Sequence, residues 1–517
     1  MEFKLNRECV PAAECIFDGI QEQSVELDYI LPDYYPDIFR LVRCEITPVI
    51  TGSSVNGNRL TYELCCDIKI LYCSESGSTL QCVSQRQNFS KSTELNKICE
   101  FPVVKLIPKT DYVNFRAVNK RRLDMRGAVS VKIHIVGEKN QEVISDAFGM
   151  NIQLKKTPIR FASKKLTAEK TLQITEETEL SAAQPNVLSI INCRCSTDEC
   201  EKKMISGKLL AKGNVNINLL YSCEIDGEGA IEPMSFSLPY SQIIDIDGLD
   251  DSFGCNVIPE VVSCEITPTA GKNEENRILR CEIEVRLLCR AVKTVTLMLG
   301  KDAYSTIYPC EVVFADIRVE QIPVIYNELI RSTAKIAEGE NVPQTVYSMW
   351  CTPKNINTRI SDDNKSVIIS GMLTYSMAAK DNAGMIVMPD KDEAFEEIIS
   401  LGDDITDCNV SADIIIKEVS YNISPEGVLL AKADISAKIF VSDCGSVKAI
   451  TGISIDESEK KQRDGDYAIK LYYGAPNEDV WDIAKRYSTC VNAVMEENEI
   501  EGEKLENGGM LLIPIIT

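Results

Sequence analysis

Side chains able to do chemistry are sparse in this chain of 517 residues, and its single histidine, His134, comes first. It lies in VSVKIHIVG on the polar phase of an alternating run, which predicts a solvent-facing strand residue. A Ser-His or Cys-His nucleophile would have to use this one imidazole, and no G-x-S-x-G context accompanies it. Cysteines number 21. Cys193, Cys195 and Cys200, in INCRCSTDECEKK, form a C-x-C-x4-C run that could bring three thiolates to a turn. Zinc sites usually pair two such knuckles. No C-x2-C partner is present and Cys193 falls on an apolar repeat position, so no metal ligand is assigned. Cys65 and Cys66 point to opposite faces of a strand and do not readily share an ion.

Paired carboxylates could serve a glycosidase, but with 78 Asp and Glu in the chain nothing selects two of them. The acidic stretches LGDDITD at 401–407 and IDIDGLDD at 244–251 lack the calcium-loop pattern and read as solvated turns. A Walker phosphate loop is missing as well. No catalytic residue and no cofactor are assigned, and the chain reads as a non-enzyme.

The net charge of −23 argues against nucleic acid or an anionic membrane surface as the main partner. A basic protein surface, a cation or a neutral glycan fits better. There is no apolar run near 18 residues, so no membrane span is expected. The first twenty residues lack an apolar signal core and carry Glu2, Glu8 and Glu14, so no secretory signal is expected. An odd number of scattered cysteines then fits reduced thiols in a cytosol.

The elements that must carry these residues repeat. Pro36, Pro185 and Pro343 open PDIFRLVRC, PNVLSIINC and PQTVYSMWC, each with a cysteine eight residues on, at Cys44, Cys193 and Cys351. The register holds at Leu60, Leu209 and Val367, at Gly213 and Gly371, and at Tyr72 and Tyr221. Alternating runs follow, and a second alternating strand closes each unit, as at Val129 to Ile135, Ile283 to Leu287 and Ile435 to Ile439. The expected fold is mainly β: three tandem diverged antiparallel, sandwich-like domains at 23–160, 161–318 and 319–456, preceded by an N-terminal arm at 1–22. Stretches such as LKKTPIRFASKKLTAEKT read as joints between beads on a string or stacked sandwiches. DESEKKQRDGD reads as a solvated linker, placed at 457–466.

The last segment, 467–517, predicts a small βααβ module: a strand at 467–473, helices at 478–487 and 489–497, and a strand at 510–515. Val480, Trp481, Ala484 and Tyr487 make an apolar stripe on its first helix, with Trp481 structural. Asn498 suits a C-terminal turn or left-handed position. Tyr472-Tyr473, Trp481, Ile483-Ala484, Tyr487, Val491, Val494, Asn498 and the LLIP run resemble a LysM module. That resemblance implies a shallow groove for N-acetylglucosamine polymers between the loops 474–479 and 501–509. The family pattern of Gly-Asp-Thr before a Leu-Trp pair is replaced here by Asn477, Glu478 and Asp479 before Val480-Trp481. From Asp466 onward ten acidic residues face four basic ones, a balance of −6.

Three β repeats followed by one LysM resemble the SipL-like spore-envelope morphogenetic proteins of clostridia, whose repeat is the SPOCS domain. The resemblance implies a structural adaptor of the spore coat, docking through LysM on the coat basement-layer ATPase at the forespore surface, in the mother-cell cytoplasm. The alternative is a LysM protein that binds peptidoglycan or cortex glycan; self-association is a further possibility. Partner- or glycan-binding residues are placed at Gly474, Asn477, Glu478, Asp479, Trp481, Asn498, Glu503 and Asn507. Lys at Glu478 and Asp479 is expected to weaken a protein complex and leave the module folded.

Overall fold

The computed structural model describes residues 3–515 apart from 75–79, 99, 199, 206, 226–227, 271–275, 320–322, 403–404, 406–407, 444–445 and 463–467. Parts of the acidic stretch 401–407, of the turn GKNEEN and of the charged linker therefore lie outside the described residues.

Strands dominate, as the alternation predicts. The first unit holds β1 (Lys4–Ile30), β2 (Arg40–Asn56), β3 (Arg59–Cys73), β4 (Leu80–Glu94), β5 (Glu100–Asn119) and β6 (Arg122–Phe148). The second holds β7 (Ile152–Glu179), β8 (Ser189–Thr197), β9 (Glu201–Ile205), β10 (Lys208–Ile225), β11 (Glu228–Asp245), β12 (Gly254–Ala270) and β13 (Asn276–Ser305). The third holds β14 (Cys310–Arg318), β15 (Val324–Glu338), β16 (Thr345–Ile360), β17 (Ser366–Lys380), β18 (Ile386–Val387), β19 (Asp390–Ser400), β20 (Cys408–Ile423), β21 (Val428–Asp443) and β22 (Ser446–Ile455).

One topology recurs three times. In each unit one sheet is a meander centred on β3, β10 or β17, flanked by β2 and β4, by β8, β9 and β11, or by β16, β18 and β19, and a second sheet runs β1-β6-β5, β7-β13-β12 or β15-β21-β20. The two sheets enclose a core, filled in the first unit by Leu60, Leu64, Ile68 and Tyr72 against Met125, Val129, Val131 and Ile133. The inward set alternates with polar residues along β6, the wet-faced pattern of an antiparallel sheet. The repeat landmarks have physical roles. The Tyr72 hydroxyl donates to the Pro36 carbonyl at 3.0 Å. Gly213 and Gly371 lie opposite Tyr240 and Phe395, whose rings occupy the space that a side chain would need.

Stretches read from sequence as an arm and as joints are strands. Residues 4–22 belong to β1 and pair with β6, and LKKTPIRFASKKLTAEKT lies within β7, paired with β13. In the second stretch Lys156, Lys164, Thr167, Lys170 and Thr171 face solvent and mask the alternation. Beyond the sandwiches the same strands continue as two-stranded ribbons, with a register shift at Cys15/Phe17 in β1 and at Lys293/Thr294 in β13. In the third unit the ribbon is a separate pair, β14 with β22. The three ribbons pack on one another through Val10 and Val143, Ile159, Phe161 and Leu299, and Ile317 and Ala449.

The units are not beads on a string. The first touches the second through β4 and β8, and the second touches the third through β11 and β16. The third returns to the first: Arg43 on β2 reaches Asp390 on β19 at 2.6 Å, and Arg40 donates to the Ile386 carbonyl. At the centre Leu71, Cys73 and Leu80 meet Ile191, Leu220 and Ile231 and Ala378, Ile386 and Met388, three side chains from each unit. The meanders thus bury their outer faces in a hub as well as their inner faces in the sandwiches.

Leu220 is fully enclosed at that hub. Leu220→Ala is expected to cost about 2–5 kcal/mol, read as a lower denaturation midpoint. Leu220→Glu should open the ring and enlarge its radius in small-angle scattering. Unchanged values in both variants would remove the hub as a determinant of the assembly.

Candidate functional site

The C-terminal module contains β23 (Ile469–Gly474), α1 (Val480–Arg486), α2 (Val491–Glu497) and β24 (Gly509–Pro514), and β23 pairs antiparallel with β24. The order is the expected one, with each helix starting two residues later than predicted. Asp479 starts α1, because its carboxylate accepts the Trp481 backbone N–H at 2.9 Å. Val480, Trp481, Ile483, Ala484, Val494, Leu511 and Ile513 close the core.

One side chain of that core comes from elsewhere. Tyr304 of β13 stands edge-on to Trp481, with ring centroids 5.0 Å apart, and donates its hydroxyl to the Thr489 carbonyl at 2.7 Å. The Trp481 indole N–H donates to Asp302 at 2.8 Å, and Lys485 bonds the same carboxylate at 2.7 Å. Lys155 of β7 pairs with Asp479 at 2.5 Å. Lys461, on the approach to the module, bridges the Ser305 carbonyl at 2.7 Å and Ser488 at 3.1 Å. The module is therefore seated on the free end of the second ribbon, and Trp481 is structural, buried at the seam.

The structure gives most of the sequence-predicted loop residues internal work. Gly474 lies against the Leu505 side chain, which occupies the place that a Cβ would take. Asn477 takes the left-handed region at φ 64° and donates its N–H to the Leu505 carbonyl at 2.8 Å. Glu478 accepts from the Tyr472 hydroxyl at 2.7 Å and from the Ala475 N–H at 3.0 Å. Those two bonds, the Tyr472 one foremost, hold its carboxyl below the usual range. Burial works to raise Asp479, and the bonds from Lys155 and the Trp481 N–H outweigh it and lower the carboxyl.

Asn498 ends α2 with φ −108°, so it is not the left-handed residue; Glu499, at φ 53°, is. The Asn498 amide donates to the Val494 and Leu512 carbonyls and accepts the Leu512 N–H at 2.6 Å, tying the helix to β24. The Glu503 carbonyl accepts the Val480 N–H at 2.9 Å, so the two loops are stitched together, while the Glu503 and Asn507 residues are exposed. Lys at Glu478 and Asp479 would remove a helix cap and an ion pair, so it would not separate folding from partner contact.

A surface that the sequence reading missed lies on the outer face of β23 and β24. Leu471, Tyr473 and Met510 are 66%, 76% and 68% exposed, and Tyr473 lies opposite Met510 in the pairing. Ile469 continues the row. The period-two pattern of IKLYY carried the signal, since its second apolar set has no core to face.

The other candidates are resolved by position. His134 is exposed on β6 with Nδ1 2.8 Å from Asp18 on β1, a surface pair across neighbouring strands. The C-x-C-x4-C reading is corrected in its third member. Cys200 is buried apart, with its thiol on the Glu201 carbonyl, whereas Cys264 of β12 joins Cys193 and Cys195.

Tyr304→Ala removes the edge-on contact and a buried hydrogen bond, so it is expected to cost about 3 kcal/mol of docking. Limited proteolysis should then cut between 456 and 468 faster than in the unaltered chain. An unchanged cleavage rate would show that Tyr304 does not hold the seat.

Residues 186–269 match the family model described as SipL, SPOCS domain, a span running from β8 to the end of β12. No curated protein and no solved structure matches the chain. The matched family is structural and non-catalytic, and the match supports a SipL-like, sporulation-related protein. Among the described residues no helix is long and apolar enough to cross a membrane.

Proposed function

We propose that the chain is a non-enzymatic assembly protein of the spore coat, a multivalent adaptor whose C-terminal module is a LysM that docks on the coat basement-layer ATPase. It would act at the forespore surface, in the mother-cell cytoplasm. The three units share one strand order, so the SPOCS match within the second extends by topology to the first and third as a reading. Three linked units and a docked module offer several weak contacts on one body, which raises effective concentration at a growing shell.

The observation that carries the docking role is the apolar row Ile469, Leu471, Tyr473 and Met510, left open on a module whose opposite side is occupied by the second ribbon. An exposed apolar row on an otherwise satisfied small domain suits a protein interface. The second loop leads directly into β24 and leaves Glu501, Glu503 and Glu506 exposed, which suits a partner with a basic rim. The loop pair expected to cradle a sugar is joined by backbone hydrogen bonds, with Glu478 and Asp479 bonded inward.

The test uses the full chain, because Tyr304 belongs to the module's core. Leu471→Glu combined with Tyr473→Glu is expected to lower capture of the basement-layer ATPase at least tenfold, while circular dichroism stays the same. Retention on peptidoglycan with no ATPase binding would overturn this reading and favour glycan anchoring.

A further inference from the structure

The thiols of Cys193, Cys195 and Cys264 converge where the first strand of the meander meets β12 and closes one side of the second sandwich. The Cys193 sulfur lies 3.6 Å from each of the other two, and those two are 2.6 Å apart. All three side chains are half-buried among the core residues of the unit. Cys193 and Cys195 are two apart on β8 and share one face, and Cys264 arrives from the opposing sheet 69 residues later.

The other repeats show that this convergence is not a by-product of the fold. Ten residues after its repeat proline the second unit has Cys195, whereas the first has Ile46 and the third Pro353. Arg277 and Arg121 are equivalent, since each ties down the loop before its meander through backbone carbonyls. Six residues beyond them Ile283 pairs with Cys264 and Gly127 pairs with Val113. The same corner is therefore Cys44, Ile46 and Val113 in the first unit, one thiol and two hydrocarbons. Among the described residues, only the second unit brings three sulfurs together.

We propose that Cys193, Cys195 and Cys264 form a three-thiolate site for a soft d10 cation of the Cu(I) or Zn(II) class. Thiolates select such ions, and three of them give the trigonal set that Cu(I) accepts and that Zn(II) completes with one water. Metal–sulfur bonds of about 2.3 Å place sulfurs roughly 3.8–4 Å apart. Two of the separations are already near that, and the third is reached when the Cys264 sulfur turns roughly 1.2–1.4 Å away from Cys195.

The surroundings favour the charged form of one member. The Cys193 thiol is drawn down, first by hydrogen bonds from Cys195 and Cys264 and then by the positive charges of Lys69 and Arg194. Cys195 and Cys264 are raised, chiefly because each is bonded to Cys193. Ligation by thiolates releases the thiol protons, and the metal replaces the shared hydrogen bonds. Lys69 reaches over from β3 of the first unit, its Nζ 3.5 Å from the Cys193 carbonyl, so the site lies at a junction between units.

The test is dialysis of the reduced full chain against Zn(II) with a competing chelator, followed by metal analysis and by the sulfur-to-metal charge-transfer band with Cd(II). One tightly held equivalent is expected. Cys195→Ile and Cys264→Val install the residues that the first unit carries at these places, so packing is kept while the equivalent is lost. Cys44→Ala and Cys351→Ala, at the repeat positions of Cys193, should retain it. Failure to bind one equivalent, retention in the Cys195→Ile and Cys264→Val double variant, or a Cys195–Cys264 disulfide in protein kept under reductant would each overturn the proposal.

Discussion

The whole architecture depends on the antiparallel pairing of each unit's first long strand with its last. That pairing closes every sandwich, because the strand that opens a unit lies beside the strand that ends it. In the first two units it also carries both strands beyond the sandwich into a ribbon, and in the third β14 and β22 form the ribbon; there the units hold one another. A chain with long-range pairs of this kind must form contacts far apart in sequence before any unit is complete. The reward is a body in which the first two units begin and end in paired strands: β1 pairs with β6 from Lys4 to Ile30, and β7 pairs with β13 from Ile152 to Glu179.

Two apolar centres follow. Ribbons meet around Phe161, Leu299 and Ala449, and meanders meet around Leu71, Leu220 and Ala378. Between and beside these centres lie the charged contacts that fix neighbours. Arg194 of the second unit lies 4.0 Å from the Trp350 ring of the third, and Arg43 of the first pairs with Asp390 of the third. Arg194 is also held down to about 10, mainly by burial. A partly buried guanidinium stacked on indole keeps its charge with less water, which suits a junction that must stay polar and dry at once.

The sequence made much of this legible, and physical reasons explain the rest. Alternation marked the strands, Pro36, Pro185 and Pro343 stand just before β2, β8 and β16, and YY followed by W spans β23 and α1. Ring closure was present in the sequence as well, in runs such as KILYC, NLLYSC and YSMAAK that are apolar on both phases where strands are buried on both faces. Read alone, such runs look like ordinary cores. The ribbons stayed hidden because Lys155, Lys156, Lys164 and Lys165 break up the apolar phase of β7. The loop carboxylates Glu478 and Asp479 looked free because acidic residues on a loop usually are, and only the fold shows Tyr472 and Lys155 against them. Cys264 could not be linked to Cys193 and Cys195 by spacing, since opposing sheets bring it there.

The seating of the module on one ribbon has a geometric outcome. A body built from three like parts would look much the same after a one-third turn, and a neighbour could meet it in any of three settings. Trp481 and Asp302 mark a single corner, because the second ribbon alone carries the module at its end. The marked corner gives the molecule a heading: a layer that recognised both the body and the module would accept it in one setting, and growth from such pieces would keep a direction.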